Sequence, residues 1–226
     1  MITSGTSVDT WKDLYRNGRD VTAISTKPTV VQNVLNGFPC VRFNSSPMDS
    51  SQTIPAGSTY SILALVKDNN TGTNISEPFS IGTSSSGTSV EFVLDYNGSL
   101  TANTFCFFNA GAKANAARNF TTSPALLAIG LSAGVSKARA NGVTAANVSS
   151  GLSTTSAVFR VGGSRPQSPA NPYPLNGDIY CLLIIASPID SHDYLKAEAW
   201  MAWNYGAPYL LGAGHRYRLR PPLIGD

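Results

Sequence analysis

Residues 176–206 read NGDIYCLLIIASPIDSHDYLKAEAWMAWNYG, and this stretch decides the fold class of the chain. Its first part, Asp178 to Ala186, is apolar on both faces of a predicted strand. Strict alternation predicts that the odd-numbered side chains from Ile179 to Ile185 line one face and that the even-numbered ones line the other. A strand that is apolar on both sides must be covered on both sides. We expect the opposite sheet to cover one face, and the following helix or the C-terminal tail to cover part of the other.

One helix follows this strand, and its predicted extent is about residues 190–205. Asp190 is the predicted N-cap, and Asp193 stands three residues later in a capping-box arrangement. Apolar side chains recur at helical spacing from Tyr194 to Tyr205, which gives the helix one stripe that packs against the rest of the protein. Gly206 is expected to adopt the left-handed conformation that ends many helices.

The rest of the chain alternates short apolar runs with turns rich in Gly, Asn, Ser and Pro, which is the pattern of an antiparallel β-sandwich. YSILALVK at 60–67 and ALLAIGLS at 125–132 are predicted core strands, and Asn141–Gly142 is a hairpin signal. The length of 226 residues fits one large all-β domain spanning 1–226. The last part, 207–226, is predicted to be an irregular basic tail.

Composition narrows the classes of function. Charged residues make up 13% of the chain and the net charge is +3, whereas an average soluble domain has about 25% charged residues. Ser, Thr, Asn and Gly take their place, which is typical of exposed β proteins of extracellular and virion surfaces. No basic stripe with interleaved aromatics is present, so nucleic-acid binding is not predicted. The apolar run Ile179–Ala186 is too short to span a bilayer, so no membrane insertion is predicted.

The cysteines and the N-terminus indicate the compartment. Cys40, Cys106 and Cys181 each sit in an apolar run and are predicted to be buried thiols. An odd number without close spacing argues against a disulfide framework or a metal cluster. The residues after Met1 lack the charged and apolar regions of a secretory signal. These features predict folding in a reducing compartment such as the bacterial cytoplasm.

No catalytic constellation is evident. Glu91 and Asp95 form the nearest approach to an acidic pair on a strand, but four residues separate their Cα atoms by roughly 13 Å. The carboxylates of a glycosidase stand about 5–9.5 Å apart. Glu198 lies on the predicted helix and is interpreted as a surface or cap-supporting charge, while His192 and His215 follow no metal-ligand spacing. The sequence therefore predicts no catalytic residues and a protein that is not an enzyme.

Five segments carry short motifs: WKD at Trp11–Asp13, LNGFPCVRF at Leu35–Phe43, ARANG at Ala138–Gly142, FRVGG at Phe159–Gly163 and the stretch Asn176–Gly206. In this order they resemble elements of the concanavalin A-like (laminin G-like) jelly-roll domains of bacterial and phage proteins. The resemblance extends over nearly the whole chain. It implies an all-β, two-sheet antiparallel jelly-roll sandwich with one C-terminal α-helix.

The chain departs from that family pattern in two places. Family members have a further strand before the W-x-D segment, whereas only ten residues precede Trp11 here. We expect the first strand to be truncated or donated by a neighbouring subunit, because an open sheet edge invites strand addition. The second departure is Cys181, which stands where the family has an acidic residue on the last strand.

The resemblance also bears on metals. Domains similar to this one bind Ca²⁺ in some cases, through Asp and Asn oxygens of loops. Asp95, Asn97 and Asp178 are the candidate ligands in this sequence. Turn geometry is the competing role for such residues. No cofactor other than this calcium candidate is predicted.

Two functions fit these observations. The first is a non-enzymatic virion structural or adhesive protein, such as a capsid decoration or fibre-associated module. It would act as a homo-oligomer or with other virion subunits on the virion surface, with contact to a cell-surface glycan. The alternative is a lectin-like carbohydrate-binding module of a bacterial protein, extracellular or at the cell surface. Trp200 and Trp203 are either packing residues or a platform for a sugar ring, and the sequence assigns no specific ligand-binding residue.

Overall fold

The computed structural model describes residues 2–4, 6–14, 18–54, 59–69, 75–82, 90–95, 104–109, 112–117, 123–132, 135–144, 156–164, 173–189 and 191–223. Within these ranges the chain forms sixteen strands and one α-helix. The first eight strands are β1 (Ile2–Ser4), β2 (Ser7–Trp11), β3 (Val21–Ala23), β4 (Thr29–Leu35), β5 (Phe38–Asn44), β6 (Met48–Ile54), β7 (Tyr60–Asp68) and β8 (Ile75–Ile81). The others are β9 (Val90–Asp95), β10 (Thr104–Asn109), β11 (Ala112–Ala117), β12 (Ala125–Ser132), β13 (Val135–Ala140), β14 (Val143–Thr144), β15 (Ala157–Val161) and β16 (Asn176–Ile185). The helix α1 spans His192–Asn204, and a short 3-10 turn follows at Pro208–Leu210.

Every described strand pair is antiparallel, and the pairs form one continuous path that folds back on itself. The path runs β11-β10-β9-β8-β15-β6-β3-β2-β4-β5-β16-β7-β12-β13-β14, with β1 paired to β2. It folds so that β10 and β11 approach β13. The result is the all-β, two-layer jelly-roll sandwich with one C-terminal helix that the sequence predicts. The front layer contains β6, β8 and β15, and the back layer contains β5, β16, β7 and β12.

The main core fills the space between the two layers. The front layer contributes Met48, Phe79, Phe159 and Val161, all of them buried. The back layer contributes alternate residues of its four strands, among them Phe43 and Ile62 on β5 and β7. Because side chains alternate along a strand, the residues between these core positions project to the outer faces of the sandwich.

A second core lies on the outer face of the back layer, under α1 and the C-terminal tail. Leu63 and Leu65 of β7 and Leu126 of β12 project there and pack against buried residues of α1 and the tail. Tyr194 and Tyr217 are the largest fully buried side chains of this second core. The expectation that the helix or the tail covers the other face of the apolar strand is therefore confirmed.

Strand β16 is buried on both faces, but the predicted alternation is wrong beyond Ile179. Its register on β7 shifts between Ile179 and Cys181, which leaves Tyr180 as the extra residue of a β-bulge. Ile179 faces the main core, while Tyr180 and Cys181 both contact the second core. After the bulge the even-numbered side chains, such as Leu182, return to the main core.

The N-cap of the helix lies one residue later than predicted. Ser191 is the N-cap, and its hydroxyl accepts a hydrogen bond of 3.1 Å from the backbone N–H of Tyr194. Asp190 lies outside the described residues. Gly206 has φ +64, so the left-handed ending is confirmed. Among the described helices none is long and apolar enough to cross a membrane.

The N-terminal residues occupy the edge that the sequence predicted to be truncated or left for a neighbour. Strands β1 and β2 form an antiparallel hairpin, with Ser4 opposite Ser7. β2 pairs with both β3 and β4. Residues 2–11 thus form one short hairpin of this chain, and donation of a further strand by a neighbouring subunit stays a prediction.

The described cysteines are thiols. Cys40 is buried on β5 and Cys181 is half-buried on β16, and neither is in a disulfide. Burial raises the pKa of the Cys40 thiol to about 12 and that of the Cys181 thiol to about 11. The side chain of Cys106 lies outside the described part of the chain.

Candidate functional site

A row of polar side chains crosses the outer face of the back layer beyond the area that α1 covers. Thr29 of β4 is in register with Arg42 of β5, and Arg42 is in register with Asp178 of β16. Asp178 is in turn opposite Lys67 of β7. Neighbours of these positions along each strand face the main core, so the row projects outward. They are Val30 after Thr29, Val41 and Phe43 around Arg42, Val66 before Lys67 and Ile179 after Asp178. Strands β5, β16 and β7 thus place one cation on each side of the Asp178 carboxylate.

Arg42 and Asp178 form a two-pronged ion pair. Arg42 Nε donates to Asp178 Oδ1 at 2.7 Å, and Arg42 Nη2 donates to Oδ2 at 2.9 Å. The carboxylate side chain is 1% exposed, whereas the guanidinium side chain is 43% exposed. Hydrogen bonding to Asp178 raises the pKa of Arg42, which keeps the guanidinium charged. Nη1 makes no hydrogen bond to the described residues, so the outer edge of the guanidinium faces solvent.

Aromatic rings lie beside this pair. Phe38 and Tyr205 are 5.3 Å apart between ring centroids, and Tyr205 and Tyr180 are 6.3 Å apart. Burial, and then the charge of Asp178, raise the pKa of Tyr180, and the Tyr209 phenol also contributes to this rise. Tyr209 lies in the 3-10 turn, four residues after Tyr205, and it is 58% exposed. We call this surface the Arg42 patch; its residues are Phe38, Arg42, Lys67, Asp178, Tyr180, Tyr205 and Tyr209.

The hairpin between β4 and β5 fixes the aromatic part of the patch. Asn36 and Gly37 both have positive φ, +50 and +87, which closes the hairpin tightly. The side-chain amide of Asn36 donates to the backbone oxygens of Tyr205 at 2.9 Å and Gly206 at 3.0 Å. These bonds satisfy carbonyls at the end of α1. The hairpin tip is thereby anchored to the helix end, and Phe38 is held against Tyr205.

A second charged cluster lies under α1 and the tail, and it corrects the interpretation of Glu198. Glu198 was expected at the surface, but its side chain is 0% exposed. Both its oxygens lie 3.1 Å from Arg139 Nε on β13, and Tyr194 Oη donates to Oε1 at 3.2 Å. His215 Nε2 lies 3.1 Å from Glu198 Oε2, without the alignment of a hydrogen bond. The prediction was wrong because the tail covers the side of the helix on which Glu198 lies.

This cluster links three elements rather than opening to a ligand. Arg139 belongs to β13, Glu198 to α1 and His215 to the tail, and the side chains of Glu198 and His215 are fully buried. His215 Nδ1 accepts a hydrogen bond from the backbone N–H of Tyr217, which fixes the turn of the tail. Trp203 Nε1 donates to the backbone oxygen of Tyr217 at 2.8 Å. The cluster therefore holds the tail on the helix.

A third arginine–carboxylate pair lies on the outer face of the front layer. In this pair the carboxylate, and not the guanidinium, is the more exposed group, which is the reverse of the Arg42–Asp178 pair. Arg160 of β15 donates two hydrogen bonds to Asp49 of β6, at 2.6 Å and 2.8 Å, and a third to the backbone oxygen of Ser164. Here the arginine is buried and the aspartate is half-buried. The guanidinium is thus enclosed, and this pair presents no cation to solvent.

The structure places two of the calcium candidates, Asp95 and Asp178, on different strands. Asp178 uses both carboxylate oxygens on Arg42. Asp95 ends β9, which pairs with β8 and β10 and not with β16, and its side chain lies outside the described part of the chain. Asn97 also lies outside it. In the described ranges no group of three His, Cys, Asp or Glu residues is arranged to hold a metal, and the calcium site stays a prediction.

The two helix tryptophans do not form a joint platform. Trp203 is half-buried and bonded to the tail, so packing is its role. Trp200 is 46% exposed on the outer side of α1. The sequence analysis names Asp178, as a calcium candidate, but it missed Arg42 and its grouping with Lys67 and the aromatic rings of the patch. Arg42 lies within the NGFPCVRF motif, and a charged residue on an otherwise apolar strand was the available signal.

Comparisons with known proteins show the fold. No protein-family model matches the sequence, and no curated protein matches it significantly. A sialidase of Trypanosoma rangeli has a TM-score of 0.64 and 12% identity, over 90% of this chain and 32% of the sialidase. Domain 4 of AbnA, an extracellular GH43 arabinanase of Geobacillus stearothermophilus solved in complex with arabinotriose, has a TM-score of 0.53 and 17% identity, over 71% of this chain and 76% of that domain. The chain spans about a third of the sialidases it matches, and at these identities the likeness establishes the β-sandwich alone.

Proposed function

We propose that this chain is a non-catalytic carbohydrate-binding module and that the Arg42 patch is its saccharide-binding surface. The observation that carries the proposal is a half-exposed guanidinium, fixed by a buried carboxylate, beside exposed aromatic rings. Arg42, Asp178 and Phe38 sit on strands, and Tyr205 caps the end of α1. Tyr209 lies in the 3-10 turn that follows. Regular elements of this kind hold a site more rigidly than loops do.

The chemistry of the patch suits a sugar. A sugar ring has apolar C–H faces and hydroxyl groups around its edge. Tyrosine rings offer an apolar face together with a hydroxyl group, and Tyr209 is the most exposed ring of the patch. The Nη1 group of Arg42 is a donor for hydroxyl or carboxylate oxygens of a ligand. Binding sites of this kind combine aromatic walls with a few fixed polar groups.

The structural neighbours support this proposal over the virion role. The arabinanase domain was solved with arabinotriose and matches this chain over most of both lengths. A module of such a protein would act outside the cell or at its surface. The virion structural role and the homo-oligomeric partner stay predictions from the sequence.

The test is saccharide binding by two matched variants. The wild-type chain is screened on a glycan array and then titrated by calorimetry with the best ligand; arabinotriose is included. Tyr209→Ala is expected to weaken binding at least tenfold, because an exposed aromatic ring at the centre of a site commonly contributes more than about 1.4 kcal/mol. Trp200→Ala removes an exposed ring outside the patch and should leave the affinity unchanged. Array binding that depends on Trp200 and not on Tyr209 would refute this site.

A further inference from the structure

We infer that the saccharide bound by the Arg42 patch carries a carboxylate group, as in a uronic acid. This inference rests on the proposed function and adds the class of ligand. It follows from the charges of the patch and from the shape of the guanidinium edge that remains open.

The patch has one more positive charge than negative charge. Arg42 and Lys67 are in register with Asp178 from opposite sides, so their Cα atoms are about 10 Å apart, two strand spacings of about 4.8 Å. Asp178 uses both oxygens on Arg42. Lys67 is half-buried and makes no hydrogen bond or ion pair to the described residues. The neighbouring acid on β7, Asp68, is buried and points to the opposite face of the strand.

The open edge of Arg42 fits a planar anion. A guanidinium has five N–H donors, arranged as a side edge with Nε and an end edge between the two Nη atoms. The side edge is taken by Asp178 through Nε and Nη2. The end edge still has one N–H on each Nη atom, and two parallel donors match the two oxygens of a carboxylate. A second carboxylate can therefore bind in the guanidinium plane, with Lys67 adding charge on the far side of Asp178.

The rings of the patch would hold the sugar to which that carboxylate belongs. Tyr180 and Tyr205 stack edge to face, and Tyr209 is exposed on the 3-10 turn that follows Tyr205 in the chain. In a uronic acid the carboxylate is attached directly to a carbon of the sugar ring, so one sugar can contact the aromatic rings and place its carboxylate on Arg42 at the same time. A simple organic acid would lack the ring contact, and a neutral sugar would leave the end edge of Arg42 to water.

The test compares each acidic saccharide with its neutral methyl ester. Oligomers of galacturonate, glucuronate and mannuronate are titrated against the full chain at low and physiological salt, each beside its ester. At least one acid is expected to bind at least tenfold more tightly than its ester, with a preference that falls as salt rises. Lys67→Gln should reduce that preference several-fold while binding of the ester is kept. Arg42→Lys keeps the charge but removes the fork, and should also reduce it.

Controls separate this inference from the proposed function. Lys196→Gln removes a charge from α1 outside the patch and should leave the preference unchanged. Equal binding of acid and ester, or array ligands that are all neutral, would overturn the inference and leave the carbohydrate-binding proposal standing. Absence of any saccharide binding by the wild-type chain would overturn both.

Discussion

The outer face of the back layer has a covered half and an open half, and each contains an arginine–carboxylate pair. In the covered half, under α1 and the tail, Arg139 and Glu198 are 10% and 0% exposed. In the open half, Arg42 and Asp178 are 43% and 1% exposed. The acid is buried in both pairs, so the difference lies in the arginine. The covered arginine serves the fold, and the open arginine still has donors for a ligand.

Coverage by α1 and the tail changes the electrostatics of the Arg139–Glu198 pair. A buried ion pair gains strong attraction, but desolvation of both charges offsets much of it. In the covered pair, Tyr194 donates a hydrogen bond to Glu198 Oε1 in place of water, and His215 Nε2 lies 3.1 Å from Oε2. The open pair needs no such shell because water reaches the guanidinium. The same residue types therefore hold a tail in one place and present a cation in the other.

The largest expected effect is in the covered half. Glu198→Ala should lower the free energy of unfolding by about 3–5 kcal/mol, because Arg139 would stay buried without its carboxylate. Arg42→Ala should cost about 1–2 kcal/mol, because water can enter where the exposed guanidinium was and hydrate Asp178. Urea unfolding followed by tryptophan fluorescence measures both. Equal losses for the two variants would show that cover does not distinguish the pairs.

The sequence predicted the layers well because their signals are local. The apolar run of β16, the helix stripe and the Gly206 ending all lie within 31 consecutive residues, 176–206. The bulge at Tyr180 escaped prediction because the partner strand β7 sets it. A bulge of one residue reverses every later side chain of the strand, so the facing residues beyond Ile179 were assigned to the wrong sides.

The site was harder to predict because its residues meet across long separations. Arg42 and Asp178 are 136 positions apart, and Arg139 and Glu198 are 59 positions apart. No local pattern pairs such residues. One local signal was available for Glu198: it stands four residues after Tyr194, on the same side of the helix. That side of the helix is the one that the tail covers, so Glu198 is buried although a charge at the surface was expected.

Alanine substitutions of one glycine in each half test the same comparison, and their expected losses of stability are smaller. Gly142 lies in the hairpin of the covered half with φ +74, and a Cβ there would overlap the backbone of Gly212 in the tail. Gly37 lies in the hairpin of the open half with φ +87, and a Cβ there would meet nothing. Gly142→Ala should cost roughly 2–4 kcal/mol, since backbone strain and overlap add. Gly37→Ala should cost about 1–2 kcal/mol from strain alone.

The same urea titration checks both glycine variants, and their tails can be compared by limited proteolysis. Gly142→Ala should expose the tail after Ala207 to cleavage, because the tail must move away from the hairpin. Gly37→Ala keeps that contact and should resist cleavage like the wild type. A Gly142→Ala protein with the stability of the Gly37→Ala protein would mean that the tail is not held tightly in the covered half.

Alkaline pH gives the smallest expected effect, and it acts at the border of the two halves through Cys40, which packs in the second core on the same face of β5 as Arg42. Burial, and then the charge of Asp178, raise the pKa of this thiol from 9.0 to about 12. Because the folded pKa is the higher one, the unfolded chain releases the proton first as pH rises. The stabilisation is fully present below pH 9 and is lost between about pH 9 and 12, at up to about 1.4 kcal/mol per pH unit.

Cys40→Ala should therefore lose less stability than the wild type between pH 9 and 10 in urea titrations. Parallel losses in the two proteins would show that the Cys40 thiol ionises alike in the folded and unfolded chains, and that water reaches Cys40 more than its burial implies.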